Sequence, residues 1–179
     1  MKLIIKENLP HALEKRLEEF LTKVENAIIF RLQFIGERFV SNARNKTVEN
    51  YKEYQKALSE IAFSRHGQRV QIGLETPGFM DHTGNLRSSI GYMIFKDGEP
   101  IKQAFAGEME EGKQAGISLA NGISKTYPKG FVLIVVAGME YAAAVESKGY
   151  DVITSSSFTA EDELKEAMEG LNKKIPLMQ

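Results

Sequence analysis

The first quarter of the chain carries a long stripe of apolar residues at helical spacing. Apolar residues recur every three or four positions from Leu13 to Phe39, which places them on one face of a helix. Asn8 is a suitable N-cap, and Pro10 lies in the first turn, where a missing N–H breaks no hydrogen bond. The pattern therefore predicts a helix over residues 10–44.

This stripe is wider than one face of a sheet requires. The additional apolar residues are Ala27, Ile29 and Phe30. Two interpretations stay open, since an apolar stripe on a helix is buried either in the core of its own domain or against a neighbouring subunit.

Shorter patterns follow. Residues 47–63 repeat apolar side chains at helical spacing and predict a second helix. Val70–Leu74 alternates like a brief strand, and Ile90–Phe95 is rich in β-forming residues. The apolar run Phe131–Ala137 is typical of a strand covered on both faces, so we expect it at the centre of the sheet. Tyr150–Thr154 predicts a further strand.

A short helix is predicted directly after the apolar run. It extends from Glu140 to Lys148, and Gly149 is expected to end it in the left-handed conformation that helices favour there. Three of its side chains are expected to face the core: Tyr141, Ala144 and Val145.

The last helix is predicted over residues 158–173. Ser157 or Thr159 is its expected N-cap, acidic residues occupy its first turn, and Lys173 and Lys174 lie near its end. This distribution of charge complements the helix dipole.

Residues 104–125 are small, glycine-rich and acidic. They lack the large apolar side chains of a core helix, so we expect an excursion, either a loop or a weak helix, inserted in the sheet region 70–155. The order of elements, without βαβ alternation, predicts one α+β domain over residues 1–179. In it a long amino-terminal helix packs on a small antiparallel or mixed sheet, with a short helix after the central strand and a carboxy-terminal helix.

Composition excludes several functions. The 23 Lys and Arg residues balance 24 Asp and Glu residues, so there is no global basic field to hold nucleic acid. The chain has no cysteine, which excludes disulfides and thiolate zinc sites and suits a reducing cytoplasm. No apolar run reaches the roughly 18 residues of a membrane helix, and the chain does not begin like a signal peptide. We expect a protein made in the cytoplasm without membrane contact.

Little in the sequence suggests catalysis. The histidines fall in separate predicted elements: His11, His66 and His82. There is no Gly-x-Ser-x-Gly elbow and no phosphate-binding glycine loop, and neither Asp81–His82 nor the acidic group 108–111 has metal-ligand spacing. We therefore predict no enzyme, with no catalytic, cofactor-binding or metal-binding residues, no cofactor and no small-molecule substrate.

One local basic cluster, Arg65–Arg69, follows Lys46 and Lys52. It is either a solvated loop or a contact to DNA, and charge alone would give only salt-sensitive contacts to the phosphate backbone.

Two segments about fifty residues apart carry the most specific signal. The first has the pattern Thr-Gly-x-Leu-Arg-x-Ser-Ile and contains Thr83, Gly84, Leu86, Arg87, Ser89 and Ile90. The second has the pattern Tyr-Ala-x-x-Val-Glu-x-x-Gly and contains Tyr141, Ala142, Val145, Glu146 and Gly149. The Arg87 guanidinium has five donors, so we expect it to bind loop carbonyls or an acidic partner such as Glu146.

The order of these two motifs, with an apolar strand before the second and helices at both ends, resembles the tailed-phage and prophage proteins that join head to tail or complete the tail. The resemblance implies a structural virion protein that forms a homo-oligomeric ring, binds a head connector or tail tube, and surrounds a channel through which DNA passes. The chain departs from the family at 150–155 and in the excursion at 104–125. Two other classes stay open: a cellular adaptor of the same fold, and an unrecognised hydrolase or nuclease.

Overall fold

A small antiparallel sheet with helices on both faces forms the centre of the protein. The computed structural model describes residues 11–46, 61–63, 69–71, 81, 83–148 and 150–174. Within these residues a long first helix, a three-stranded antiparallel sheet, a short helix and a last helix follow one another. The predicted α+β class is confirmed.

Helix α1 (His11–Arg44) confirms the predicted long helix. Its 34 residues span roughly 51 Å, at about 1.5 Å per residue. A seven-residue strand of the sheet spans only about 23 Å. The helix is therefore about twice as long as the sheet on which it lies, and only its second half has core residues: Leu32, Ile35, Phe39, Val40 and Ala43 are buried.

The sheet contains β3 (Ile90–Lys96), β4 (Glu99–Phe105) and β5 (Phe131–Ala137), in the order β4-β3-β5. Both neighbours run antiparallel to β3, and Tyr92 lies opposite Ala104 on one side and Val135 on the other. The expected central position of Phe131–Ala137 is wrong. The two faces of β5 are covered as predicted, but among the described strands only β3 pairs with it.

Side chains of β3 alternate between two apolar clusters. Ile90, Tyr92 and Ile94 pack with α1 on one face of the sheet. Met93 and Phe95 pack with Ala120 on the other face. All five are buried, which explains why an apolar strand with little alternation in its sequence is the central one.

Residues 104–125 form part of the core, so the predicted excursion is wrong, but the helical alternative agrees with the helix over Glu110–Ser124. Ala104 and Phe105 end β4, and α2 (Asn85–Ser89) and α3 (Glu110–Ser124) are helices that pack against each other. A Cβ at Gly112 would lie 2.2 Å from the Asn85 carbonyl oxygen, and one at Gly138 would lie 2.3 Å from the Gly116 backbone. Helix α3 thus packs through close contacts between backbones, which only glycine permits. A helix that packs in this way needs few large apolar residues, so its sequence did not indicate a core position.

The predicted second helix at 47–63 lies mostly outside the described residues. Its last residues are not helical, since β1 (Ile61–Phe63) pairs antiparallel with β2 (Arg69–Gln71) in a separate two-stranded sheet. The predicted strand Val70–Leu74 overlaps β2 in two residues, and residues 72–74 lie outside the described part.

Helix α4 (Ala142–Ser147) confirms the predicted short helix, but its orientation differs from the prediction. Ala142 is the buried residue, Val145 is half-buried, and Tyr141 and Ala144 are exposed. The predicted end of this helix, Gly149, lies outside the described residues.

Helix α5 (Thr154–Lys174) begins four residues before the predicted start. Ser157 and Thr159 lie inside it, and their hydroxyls donate to the carbonyls of Thr154 and Ser155 rather than capping the helix. The predicted strand at 150–154 is also wrong, because residues 150–153 form the irregular entry to α5.

Candidate assembly surface

The first motif begins with a turn held by a buried carboxylate. The Asp81 carboxylate accepts the N–H of Gly84 at 3.0 Å and the N–H of Arg87 at 2.7 Å, which satisfies donors at the start of α2. Gly84 has φ 75°, a left-handed conformation that favours glycine. Sequence reasoning treated Asp81 only as a metal candidate and missed this role. An Asp three residues before a turn glycine was the available signal.

The residues that lead into the second motif lie directly against the first motif. The Ser89 hydroxyl donates to the Leu86 carbonyl and accepts the Met139 N–H at 3.2 Å. The Ser89 carbonyl accepts the Gly138 N–H, also at 3.2 Å. The two segments, far apart in sequence, therefore form one continuous junction, which joins β3 and β5 at the start of β3 and the end of β5.

Tyr141 adds a further contact between the motifs. Partial burial raises the pKa of its phenol, although hydrogen bonds with the Thr83 side chain and the Leu86 backbone act in the opposite direction. The Tyr141 ring is 40% exposed, so the side chain spans the junction at its surface.

Glu146 of the second motif caps α5. Its carboxylate accepts the N–H groups of Val152 at 3.0 Å, Ile153 at 2.7 Å and Thr154 at 3.1 Å, and the Thr154 hydroxyl at 2.6 Å. Burial raises the pKa of this carboxyl, but these hydrogen bonds outweigh it and the pKa lies below its ordinary value. The positive end of the helix dipole also favours the carboxylate.

Three further motif residues are part of the core. Leu86, Ile90 and Ala142 belong to the core. Arg87 lies near Arg44, and burial, followed by the charge of Arg87, lowers the pKa of the Arg44 guanidinium. The expected pairing of Arg87 with Glu146 stays a prediction, as the known hydrogen bonds of Glu146 go to α5.

The predicted basic cluster is only partly described. Lys46 contacts the hydroxyls of Ser155 and Ser156 and binds the Asp151 carboxylate at 2.7 Å, so it ties the end of α1 to the start of α5. Arg69 belongs to β2, while Lys52 and residues 65–68 lie outside the described part.

The amino-terminal half of α1 extends beyond the sheet. Glu25 binds Lys96, the last residue of β3, at 2.7 Å, so residues 11–24 lie past this end of the strand by roughly 20 Å. Ile28 is the first residue of α1 in the described core. The apolar residues before it, which we call the projecting stripe, continue the spacing of the core-facing residues: Leu13, Leu17, Phe20, Leu21 and Val24. Leu13 and Leu21 are exposed, whereas Leu17, Phe20 and Val24 are half-buried.

A groove between α1 and α5 forms a second apolar surface, with a volume of about 450 Å³. Phe30 is 70% exposed and Phe34 is 54% exposed along it. The charged residues of this α1–α5 groove are Arg31, Arg38, Glu163 and Glu166. The sequence pattern identified Phe30 as an extra apolar residue but not Phe34, although the spacing of four residues was the available signal.

An ion pair joins the two walls of the α1–α5 groove. Arg38 binds Glu163 at 3.0 Å, and its guanidinium lies 5.8 Å from the centre of the Phe34 ring. Arg31 and Glu166 have no ion-pair partner among the described residues. The groove therefore presents one basic and one acidic side chain, on opposite walls, to an incoming partner.

Other kinds of site have little support in the described part of the chain. No three His, Asp or Glu residues described here are grouped so that they could hold a metal ion. No described helix has the length and apolar content needed to cross a bilayer. No protein-family model, curated protein or solved structure matches the chain significantly.

Proposed function

We propose that this chain is a structural virion-assembly protein of a tailed phage or prophage, which joins head to tail or completes the tail by ring oligomerisation. The observation that carries the proposal is the projecting stripe. About four turns of α1 present apolar residues at regular helical spacing, yet none of them belongs to the described core. An amphipathic helix of this kind gains stability by burying its apolar face against a partner.

The junction of the two motifs supports the same function. Asp81, Ser89 and Glu146 place their polar groups on backbone N–H groups, so these side chains hold the fold together instead of presenting reactive groups. The family resemblance rests on these two motifs. DNA passing through the ring and a head connector or tail tube as partners belong to this proposal.

Electron microscopy of the purified chain, alone and with the products of the flanking genes, tests the proposal. We expect rings or defined complexes with at least one of those products, and flanking genes for portal, capsid or tail-tube proteins. The proposal is wrong if the flanking genes encode no virion parts and the chain binds none of their products. A hydrolytic activity that disappears on Asp81→Asn substitution would also contradict it.

A further inference from the structure

We propose that the projecting stripe of one copy packs into the α1–α5 groove of a second copy. The inference rests on the proposed function, because it names the surfaces through which the copies associate. The two surfaces lie on different parts of the molecule, so the contact is head to tail. Repeated contacts of this kind close into a ring when the rotation between copies allows it, and otherwise extend as a filament.

The two surfaces have the side chains expected of a helix-in-groove contact. The projecting stripe has apolar anchors at relative positions 0, 4, 7, 8 and 11 of a helix, as in other helices that bind in grooves. The α1–α5 groove offers two exposed aromatic rings, Phe30 and Phe34, beside Ile35 and Ala167. Aromatic side chains of this kind dominate the energetics of protein interfaces.

The charges beside both surfaces are complementary. Glu14 and Glu18 lie along one edge of the projecting stripe, whereas Arg16 and Lys23 lie along the other, because residues three, four or seven apart share a helix face. In the groove, basic Arg31 belongs to α1 and acidic Glu166 to α5. One orientation of the incoming helix places its acidic edge beside Arg31 and its basic edge beside Glu166.

Packing of the stripe into the groove of a second copy is favoured over packing of two stripes on each other. If two projecting stripes packed on each other, the exposed rings of Phe30 and Phe34 would stay in water. Packing of stripe into groove removes both apolar surfaces from water in a single contact. The favourable free energy of association grows with the apolar area buried, so the head-to-tail contact is favoured.

Cysteine crosslinking tests the contact directly, because the chain contains no cysteine. We would prepare Leu17→Cys in the stripe, Phe34→Cys in the groove and Ser118→Cys as a control at an exposed position of α3. Equal mixtures of two variants, treated with a short bis-maleimide, are then analysed by denaturing electrophoresis. We expect dimers from the 17–34 mixture, and only background from Leu17→Cys alone or from the 17–118 mixture.

The alternative outcomes are distinct. Efficient dimers from Leu17→Cys alone would mean that stripes pair with each other, which overturns the inference while leaving self-association intact. Self-association of the wild type by sedimentation without 17–34 dimers also overturns it. If the 17–34 dimers form but no flanking gene product binds, the inference holds and the virion function fails. A chain that is monomeric at every concentration also overturns the inference, whereas the virion function then depends on whether a flanking gene product binds.

A charge exchange tests the orientation of the helix. Arg31→Glu or Glu18→Lys alone should weaken self-association by roughly two- to fivefold, as expected for exposed charge pairs, and the double variant should restore it. Glu19→Lys makes the same change in charge on the opposite face of α1 and is the matched control. If the double variant binds no better than the single ones, the proposed orientation is wrong.

Discussion

Helices α1 and α3 cover opposite faces of the same sheet by different means. The second half of α1 packs with large side chains such as Phe39, which is 1% exposed. Helix α3 packs with small residues, and Gly112, Gly116, Ala120 and Ser124 are its buried positions. The difference shows that a helix belongs to the core because it packs on the sheet, whether its side chains are large or small. The projecting half of α1 shows the converse, since its large apolar residues belong to no core cluster of the described residues.

The largest effect should come from the packed half of α1. Phe39→Ala should lower the free energy of unfolding by about 3–5 kcal/mol, because it removes a fully buried ring and leaves a cavity. Leu21→Ala, on the projecting half, should change it by less than about 0.5 kcal/mol, since Leu21 is 41% exposed. Urea unfolding followed by circular dichroism, at a concentration where the protein is monomeric, measures both. Equal losses would remove the distinction between the two halves.

Glycine packing of α3 gives the next largest effect. Gly112→Ala should cost about 1–3 kcal/mol, because its Cβ would lie 2.2 Å from the Asn85 carbonyl oxygen. Gly122→Ala, in the same helix, meets no atom within 4 Å and should stabilise the protein by about 0.5–1 kcal/mol. The same unfolding assay applies. Stabilisation by both substitutions would show that α3 does not approach the backbone of α2 closely.

Capping of α5 by Glu146 should contribute a smaller amount. Glu146→Gln should cost roughly 0.5–2 kcal/mol at neutral pH, which is the usual range for a helix N-cap. The folded pKa of Glu146 lies below its ordinary value of 4.5, so its stabilisation is present above that pH and is lost as the pH falls through the folded pKa. The difference in stability between wild type and variant should therefore narrow in acid. A constant difference across this pH range would contradict the role of the charge.

The smallest loss of stability among the tested contacts is expected at the ion pair between Lys96 of β3 and Glu25 of α1, where the two halves of α1 meet. Lys96→Met should cost less than about 1 kcal/mol, because the pair of Lys96 with Glu25 is partly exposed and screened by solvent. The loss should decrease further in high salt. A loss larger than that of Gly112→Ala would mean that this ion pair fixes α1 on the sheet.

The parts that the sequence predicted share a physical basis. The helix from His11 to Arg44 and the strand from Ile90 to Lys96 carry periodic or continuous apolar patterns, and burial of these patterns drives their structure. Residues 104–125 could not be predicted in this way, because α3 packs through glycines, which have no side chain and therefore add nothing to an apolar pattern. The start of α5 depends on a carboxylate eight residues earlier, Glu146, which no local capping pattern identifies.

The candidate surface was predictable only in part. Extra apolar residues on α1 indicated either core or interface, but the end of the sheet at Lys96 decides which residues project beyond it. The α1–α5 groove could not be predicted, because it depends on how the two helices pack. Arg31 and Glu166 are far apart in sequence, and only this packing places them on opposite walls of the groove.

Sedimentation of the full chain over a wide range of concentration tests the central claim most directly, with Leu17→Glu/Leu21→Glu as the comparison variant. We predict that the wild type has a mass above 20.0 kDa that rises with concentration. The variant should remain at 20.0 kDa and still fold, because both residues lie outside the described core. A wild type that stays monomeric, or a variant that associates as strongly as the wild type, would contradict assembly through α1.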